Sequence, residues 1–327
     1  MATMRAVVFD KLGDSSVLHV ADIPKPAPKP GEVLVKVDYA GINFIDTYFR
    51  TGLYPTELPA QTGRECGGVI EAVGADVAPY LDLKAGDRVG VYYQNTVAEF
   101  VAVPAARCMK LPNSVSTREA AALTVQGLTA WTLVKDAHEV KPGQVVLVHA
   151  AAGGTGGLLV QMAKHLGATV IGTASTPEKL EVAKEHGCDH LINYSKESVL
   201  ENVMKITNGK GCNAVFSGVG KATFEEDLEC CAKMGSMITF GNASGAIEGF
   251  RPLVLGKKNV KLLRPRLDVY ISEREDFVKR SNELWDLVAK GIVKVTYGKE
   301  YSMGEIAQAH DDLTGRKTIG KLLVKIA

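Results

Sequence analysis

The sequence lacks the charge pattern of a typical nucleic-acid-binding protein. Its 327 residues carry a formal net charge of +1, and no run of Lys or Arg is longer than two residues, as at Lys257 and Lys258. Proteins that bind nucleic acids cluster such residues to neutralise phosphates. We therefore expect no large phosphate-binding face, although these totals do not test for a local basic patch.

Targeting and membrane signals are also missing. The N-terminal stretch MATMRAVVFD has no extended apolar run behind basic residues, so we expect no secretory signal and a cytoplasmic protein. The longest apolar stretch, residues 145–163, is interrupted by His149, Thr155, Gln161 and four glycines. A strand, a turn and a helix explain this stretch better than a membrane span does.

Closely spaced cysteines are absent. Of the six cysteines, only Cys230 and Cys231 are neighbours, and none forms a CxxC motif. Structural zinc sites need such spacing, and disulfide frameworks are typical of short secreted chains. We therefore expect most cysteines to be small buried apolar residues, and we expect no metal site.

The pattern that is present changes part-way along the chain. The first part has short Val-rich stretches, such as MRAVVFD and EVLVKVDYAG, separated by Gly, Pro and Asp turns, which predicts a barrel-like β-domain. Beyond it strands and helices alternate, with predicted strands at residues 145–149, 169–173, 191–194, 214–217 and 237–240. A helix is predicted from Pro177 to His186. This alternation predicts an α/β domain with a doubly wound parallel sheet.

The glycine-rich stretch VVLVHAAAGGTGGLLVQMAKHLGATVIGT is a candidate phosphate-binding turn. Aligned on the dinucleotide motif GxGxxG, it has Ala151, Gly153 and Gly156 at the three glycine positions. The first glycine is missing, but the two that allow close approach of a pyrophosphate and close packing of the helix are present. Because the turn lies within a complete strand-helix-strand unit, we predict dinucleotide binding rather than a plain tight turn.

The residues after the next predicted strand favour NADPH over NADH. An NADH site usually has an acidic residue about 20 residues beyond the glycine turn. Here the sequence is GTASTPEKL, in which Ser175, Thr176 and Lys179 could bind a 2′-phosphate. The alternative is a surface lysine with ordinary capping residues, and the neighbouring Glu178 keeps that alternative open.

The sequence has no evident group to polarise a carbonyl. No thiolate and imidazole set for a catalytic metal is found, and the only Tyr with a Lys four residues later is Tyr80 with Lys84, in a loop far before the glycine turn. Such an enzyme should act on acceptors that are already electrophilic. Quinones and α,β-unsaturated carbonyls meet that condition, since holding the reactants together then contributes most of the catalysis.

Several motifs in sequence order resemble the zinc-independent quinone oxidoreductases of the zeta-crystallin type, in the medium-chain dehydrogenase/reductase superfamily. They include KPGEVLVKVDYAGINFIDTYFRTGLYP, TGRECGGVIEAVG, QGLTAWTLV, VHAAAGGTGG, INYSKE, FGNASG and GRKTIGKLLV, and they extend over essentially the whole chain. Together they are far more specific than the glycine turn, which occurs in many enzymes.

The resemblance implies a fold and an assembly. It implies a GroES-like catalytic β-barrel domain at 1–125, a Rossmann domain for NADPH at 126–262, and a C-terminal return to the catalytic domain at 263–327. It further implies a cofactor in the interdomain cleft and a homodimer. Zinc-binding members have Cys after AG and GHE after the Pro-rich turn, whereas this sequence has Asn43 in AGINFID and Arg64 in GRECGG. Zinc is therefore not expected.

The resemblance also implies site residues. Asn43 and Tyr54 would be the catalytic pair at the nicotinamide and substrate, although local turn structure and packing are the alternatives. The cofactor-binding residues would be Phe44, Asp46, Gln126, Thr129, Gly153, Gly154, Thr155, Gly156, Ser175, Lys179, Tyr194, Phe240, Gly241, Asn242, Ala243 and Arg316. Arg316, with Lys321 behind it, has a basic surface strand as its alternative. His149 is expected to be a packed residue at a strand end rather than a catalytic base.

The sequence thus predicts an NADPH-dependent quinone reductase that works without metal or flavin. One alternative is a reductase of the carbon-carbon double bond in enals or enones. Another, from a different class, is an NADPH-binding protein with an RNA-associated or structural role. The sequence leaves open whether electrons leave singly or as a hydride.

Overall fold

The computed structural model describes residues 2–327. Its strands are β1 (Thr3–Phe9), β2 (His19–Pro24), β3 (Glu32–Ile42), β4 (Ala60–Gln61), β5 (Glu65–Val73), β6 (Arg88–Tyr92), β7 (Phe100–Pro104), β8 (Cys108–Lys110), β9 (Val145–Val148), β10 (Thr169–Ala174), β11 (His190–Asn193), β12 (Cys212–Ser217), β13 (Cys231–Thr239), β14 (Lys261–Leu263), β15 (Tyr297–Tyr301) and β16 (Lys321–Lys325). Its helices are α1 (Phe44–Thr51), α2 (Thr117–Thr132), α3 (Gly154–His165), α4 (Pro177–Glu185), α5 (Val199–Ile206), α6 (Phe224–Cys230), α7 (Leu267–Tyr270), α8 (Arg274–Ala289) and α9 (Ile306–Thr314).

These elements belong to two compact units. The first unit contains residues 2–127, 273–289 and 295–327, and the second contains 128–272 and 290–294. The first boundary lies two residues and the second ten residues beyond the predicted domain limits at 125 and 262, and residues 290–294 group with the second unit. Those limits stay a prediction, because compactness alone does not define a domain.

The first unit is built mainly from antiparallel strands around β3. A seven-stranded sheet has the order β15-β16-β3-β5-β6-β8, with β7 also paired to β3, and a three-stranded sheet has the order β2-β1-β4. Val33, Val35 and Val37 of β3 are completely buried. Alternating apolar residues thus form the core of this unit, in agreement with the predicted Val-rich β-domain.

The C-terminal strand completes the sheet of the first unit. β16 pairs antiparallel with the end of β3, with Leu322 opposite Ile42 and Val324 opposite Ala40. Residues almost 280 positions apart in the chain therefore lie side by side. This pairing brings Lys321 to the junction between β3 and α1.

The second unit has a sheet of six parallel strands in the order β11-β10-β9-β12-β13-β14. Val146, Leu147 and Val148 of β9 are all completely buried, because helices cover both faces of such a sheet. The order reverses between β9 and β12, which creates the crevice where open α/β sheets bind ligands. The predicted doubly wound sheet is confirmed, and the five predicted strands correspond to β9 to β13.

Two of the elements that local sequence did not predict are α1 and β14. The stretch FIDTYFRT of α1 contains aromatic and β-branched residues that favour strands, but Asp46 accepts a hydrogen bond from the Asn43 N–H, and Gly52 ends the helix with φ +80°. β14 is only three residues long and shows no periodicity. Local capping and sheet pairing, respectively, decide these two elements.

Candidate active site

The junction between β3 and α1 places Asn43 at the start of a helix. Asn43 has an extended backbone with φ −136°, and its N–H donates to Asp46 Oδ2 at 2.8 Å. Its side chain lies among the buried residues of the first unit, with 4% of its surface exposed. The turn AGINFID therefore holds the Asn43 backbone in one conformation and directs its amide into the interior.

The Asn43 carboxamide is hydrogen-bonded at both ends. Its Nδ2 donates to Glu65 Oε1 at 2.7 Å. Its Oδ1 accepts from Lys321 Nζ at 2.9 Å and from Gln126 Nε2 at 3.1 Å. Because the nitrogen faces an acceptor and the oxygen faces two donors, the orientation of the amide is defined by its neighbours.

Glu65 and Lys321 form a buried ion pair. Their exposed fractions are 0% and 2%, and Lys321 Nζ lies 2.5 Å from Glu65 Oε1. Lys321 also donates to the Ile42 carbonyl at 3.2 Å, and Glu65 Oε2 accepts from the Val125 N–H at 2.5 Å. A buried charge is tolerated only when it is paired and hydrogen-bonded, and both conditions hold here.

Gln126 presents an acceptor without a partner. Its Nε2 is used by Asn43, but its buried Oε1 has no hydrogen-bond partner within residues 2–327. Buried polar atoms are nearly always hydrogen-bonded, so such an atom points to a donor supplied by water or a ligand. Gln126 was predicted to contact the cofactor, and this orphaned oxygen supports that prediction.

Asp46 is a buried carboxyl group. Its Oδ1 has no hydrogen-bond partner in the described structure. Burial raises the pKa of Asp46 to about 7, while the Asn43 N–H and the cations Lys321 and Arg64 oppose the rise. The group therefore changes charge near neutral pH.

Tyr54 follows α1 and packs against two aromatic rings of that helix. Its ring centroid lies 5.3 Å from that of Tyr48 and 5.6 Å from that of Phe49, both edge to face. The guanidinium of Arg64 lies 4.5 Å from the Phe49 ring centroid. Tyr54 is thus held by packing at the same end of the unit as Asn43.

The two remaining predicted residues of the α1 and C-terminal regions have different surroundings. Phe44 is the first residue of α1 and is half-buried. Arg316 is exposed in the turn after α9, with a positive φ of 57°. Gln126 and Lys321, rather than Arg316, make the contacts to Asn43.

In the second unit the predicted glycine turn joins β9 to α3. Gly153 precedes α3, and a Cβ at Gly156 would lie 2.2 Å from the Ala150 carbonyl oxygen. Ala150 has a φ of +51°, a conformation that favours glycine, while Ala151 is completely buried. The N–H groups of Gly154, Thr155 and Gly156 lie in the first turn of α3, where no carbonyl of the helix precedes them.

The ends of β10 and β11 bring three predicted residues to one edge of the sheet. Ala174 pairs with Asn193, so Ser175 and Tyr194 follow neighbouring strand ends. Lys179 lies in the first turn of α4, where its N–H donates to Thr176 Oγ1 at 3.3 Å. Its neighbour Glu178 is exposed, and its own backbone N–H and the Thr176 hydroxyl hold the pKa of Glu178 below its usual value.

The loop after β13 contains the predicted residues Phe240 to Ala243. A Cβ at Gly241 would lie 2.4 Å from the Gly218 carbonyl oxygen, and the Ala243 N–H donates to that oxygen at 3.2 Å. Arg264, which follows β14, donates to the Thr239 carbonyl at 2.9 Å. The loop therefore lies against the end of β12 at the carboxyl edge of the sheet. Thr129, on α2, is half-buried.

His149 is a packed residue at a strand end, as predicted. It is 4% exposed, its Nδ1 lies 3.0 Å from Thr173 Oγ1, and its Nε2 lies 2.6 Å from Asp227 Oδ1. Both ring nitrogens are therefore engaged within the second unit. The six cysteines are all buried, which confirms the prediction for them.

Within residues 2–327, no three side chains of His, Cys, Asp or Glu come together to hold a metal ion. In the same range, no helix has the length and apolar character needed to cross a membrane.

Sequence reasoning missed Glu65 as a site residue and placed Lys321 only behind Arg316. Each is the first residue of a strand and is followed directly by a buried apolar run, as in ECGGVIEAV for β5 and KLLVK for β16. A charged residue beside a buried apolar run is the signal that could have identified them. Their pairing, however, follows from strand order rather than from local sequence.

Comparison with known proteins places this fold and site in a family. Residues 29–113 match the alcohol dehydrogenase GroES-like domain, and residues 154–287 match the zinc-binding dehydrogenase model. A quinone oxidoreductase of Salmonella typhimurium is 40% identical over 325 residues, which are 97% of this chain and 98% of that protein. The chain belongs to the quinone oxidoreductase family. It is thus a member of the medium-chain dehydrogenase/reductase superfamily, as predicted.

Other members of the quinone oxidoreductase family extend the comparison. The crystal structure of Escherichia coli quinone oxidoreductase complexed with NADPH is 37% identical, with a TM-score of 0.94 over 98% of this chain and 99% of that chain. A 2-haloacrylate reductase of Burkholderia sp is 37% identical over an alignment of 336 positions that covers 98% of this chain and 98% of that protein. The GroES-like and Rossmann fold class is confirmed.

The charge state of Asp46 generates a prediction on stability. In the unfolded chain the Asp46 carboxyl ionises near pH 3.8, its ordinary pKa, whereas in the fold it stays protonated up to about pH 7. Its contribution therefore makes the protein less stable as pH rises from about 4 to about 7, by up to about 4 kcal/mol. Asp46→Asn lacks this penalty and keeps an acceptor for the Asn43 N–H.

Urea unfolding of both proteins at several pH values measures this effect. The stability of Asp46→Asn relative to the wild type should increase between pH 4 and pH 7 and stay constant above pH 8. A difference that does not change with pH would show that the folded protein holds Asp46 as a carboxylate.

Proposed function

We propose that this chain is an NADPH-dependent quinone reductase that needs neither metal nor flavin. The observation that carries the proposal is the glycine cradle at the start of α3, followed by Ser175, Lys179 and Tyr194 at the neighbouring strand ends. A similar protein of known structure was solved with NADPH, and several relatives are named quinone oxidoreductases. Geometry and similarity therefore support the same cofactor.

The second unit fits the pyrophosphate of the cofactor. Gly153 and Gly156 leave the backbone open where a side chain would meet the Ala150 carbonyl, at 3.2 Å and 2.2 Å from the respective Cβ positions. The N–H groups of Gly154 and Thr155 and the positive end of the α3 dipole favour an anion at this point. We assign the pyrophosphate to residues 153–156.

The neighbouring strand ends fit the 2′-phosphate. Ser175 offers a hydroxyl donor, Lys179 an ammonium and Tyr194 a phenol that is 39% exposed. Glu178 is a nearby acid, but its carboxylate bonds back to the Thr176 hydroxyl and to its own backbone. We assign Ser175, Lys179 and Tyr194 to the 2′-phosphate and residues 240–243 to the nicotinamide side.

NADPH supplies the hydride in this reaction. A quinone that takes up a hydride and a proton becomes a hydroquinone, and its carbonyl oxygens gain negative charge on the way. Asn43 retains a second Nδ2 hydrogen that has no partner within the described residues, so we assign it as the donor to that oxygen. We assign Tyr54 to the acceptor. We assign five further residues to the cofactor: Gln126 with its free Oε1, Thr129, Phe44, Asp46 and Arg316.

One observation favours a second candidate substrate. A 2-haloacrylate reductase covers 98% of this chain at 37% identity, a value within the range of the quinone oxidoreductases. Both reactions place negative charge on an oxygen conjugated to the carbon that receives the hydride. An α,β-unsaturated carbonyl is therefore the alternative acceptor.

Turnover with two substrate panels tests the proposed function. Purified protein, treated with chelator, should oxidise NADPH faster than NADH with quinones and slowly with 2-alkenals and 2-haloacrylates. Removal of metal should leave the rate unchanged, because the proposed chemistry uses no metal. Turnover confined to the alkenals and haloacrylates would assign the second candidate.

The same assay can reject both reductase functions. Tight NADPH binding without turnover on either panel would favour a binding role. A complex with RNA that dissociates at high salt would then identify the RNA-associated alternative.

We further propose a cytoplasmic homodimer. β14 is an edge strand of the six-stranded sheet, and exposed apolar side chains lie on it and in the flanking segments: Leu253, Val254, Leu263 and Val269. An apolar sheet edge is a surface on which a second copy can pair. Light scattering should give twice the mass of the 35.0 kDa chain, and a monomer would contradict the proposal.

Lys179 provides the sharpest test of cofactor preference. Lys179→Ala should weaken NADPH binding by about 10- to 100-fold, since an ammonium contributes about 1.5–3 kcal/mol to a phosphate contact. NADH has no 2′-phosphate, so its affinity should change little. Fluorescence titration with both cofactors measures the difference.

Lys184 is the matched control. It lies on the same helix, is exposed, and is 3.9 Å from Glu181. Lys184→Ala should leave both affinities unchanged. An equal loss of NADPH and NADH affinity in Lys179→Ala would contradict the 2′-phosphate assignment.

A further inference from the structure

We propose that Glu65 and Lys321 are positioning residues that orient the Asn43 carboxamide for the reaction. The proposal rests on the function assigned above to Asn43, donation of its free N–H to the acceptor oxygen. The proposal adds the Glu65–Lys321 ion pair to the assigned site. These residues belong to β5 and β16, two strands that contribute no other residue to that site.

The geometry permits only one orientation of the amide. Rotation by 180° would place Asn43 Oδ1 against Glu65 Oε1, and Nδ2 against Lys321 Nζ and Gln126 Nε2. Each new contact would join two acceptors or two donors, and Asn43, Glu65 and Lys321 are only 0–4% exposed. The pair therefore selects the orientation in which one N–H points at Glu65 and the other is left for a ligand.

The charges also act on the strength of that donor. Lys321 Nζ binds the amide oxygen, which draws electron density from the nitrogen and makes its N–H groups better donors. Glu65 balances the positive charge and takes one N–H, so no isolated charge remains buried. Lys321, acting through the Asn43 amide, would thus stabilise the negative charge that develops on the acceptor oxygen.

The competing explanation is an ion pair that only stabilises the fold. Both explanations predict that loss of one partner destabilises the protein, because the other charge would stay buried alone. The two explanations differ in the effect that they predict on kcat. A structural pair affects how much protein is folded, whereas a positioning pair affects turnover of the folded protein through Asn43.

The test uses Glu65→Gln with Lys321→Met, so that neither charge is left unpaired, in the full-length protein. We expect the NADPH Kd to be unchanged, and kcat with a quinone to fall about 10-fold, less than the loss for a deleted donor. Asn43→Ala should lower kcat by about 100-fold, and the triple variant should be no slower than Asn43→Ala, because the pair acts through Asn43.

Tyr301→Phe is the matched control for a buried hydrogen bond elsewhere in the same unit. The Tyr301 hydroxyl donates to Asp312 Oδ2 at 2.8 Å, and its side chain is 2% exposed. This variant should lose stability but keep the wild-type kcat. Comparison with it separates a loss of stability from a loss of amide orientation.

Two outcomes would overturn the proposal: a folded double variant with wild-type kcat, or a triple variant whose loss is the product of the two separate losses. If the double variant does not fold, NMR of the wild type decides. A positioned Asn43 amide shows side-chain protons that exchange slowly with solvent, and exchange as fast as that of an exposed amide would contradict it.

The same spectra separate this proposal from the proposed function. An ordered Asn43 amide in a protein that reduces no quinone supports the positioning geometry and rejects the reductase function. Quinone turnover with a mobile amide rejects the positioning and retains the reductase.

Discussion

The ion pair between Glu65 and Lys321 is the constraint around which the first unit's site is organised. An isolated charge in the protein interior costs several kcal/mol, so neither side chain is stable there without the other. Their contact requires β16 to lie beside the end of β3, because only that register brings Lys321 to Ile42 and Asn43. The strand pairing, the start of α1 and the orientation of the Asn43 amide are consequently linked.

In the second unit the corresponding constraint is the close approach of backbones at the carboxyl edge of the sheet. Gly156 and Gly241 each occupy a position where a Cβ would lie within 2.4 Å of a carbonyl oxygen. Small residues at these points allow the loops after β9 and β13 to lie tightly against their neighbours. The same edge carries the N–H groups at the start of α3, Lys179 and the hydroxyl groups of Ser175 and Tyr194, which we assign to an anionic cofactor.

The broader superfamily includes zinc-binding dehydrogenases. This chain has other groups where those enzymes bind zinc. By the motif resemblance, Asn43 and Arg64 stand where zinc-binding members have metal ligands, and Asn43 accepts a hydrogen bond from the buried ammonium of Lys321. Negative charge on a substrate oxygen can be stabilised by a metal ion or by preorganised hydrogen-bond donors. The buried amide and ammonium suit the second means, which matches acceptors that are already electrophilic.

Local sequence was sufficient for the parallel sheet, the glycine turn, the packed His149 and the residues at the strand ends, since each rests on periodicity or on neighbours close along the chain. It was not sufficient for α1, whose residues favour strands and whose helix depends on the Asp46 cap and Gly52. Nor could it identify Glu65 as a partner of Lys321, 256 residues away. Periodicity and turn residues report contacts within a few positions, so the sequence determined the parallel strands, the Val-rich strands of the first unit and the glycine turn. The pairing of β3 with β16 and the network around Asn43 were decided by tertiary structure, because they join segments that become neighbours only when the sheet closes.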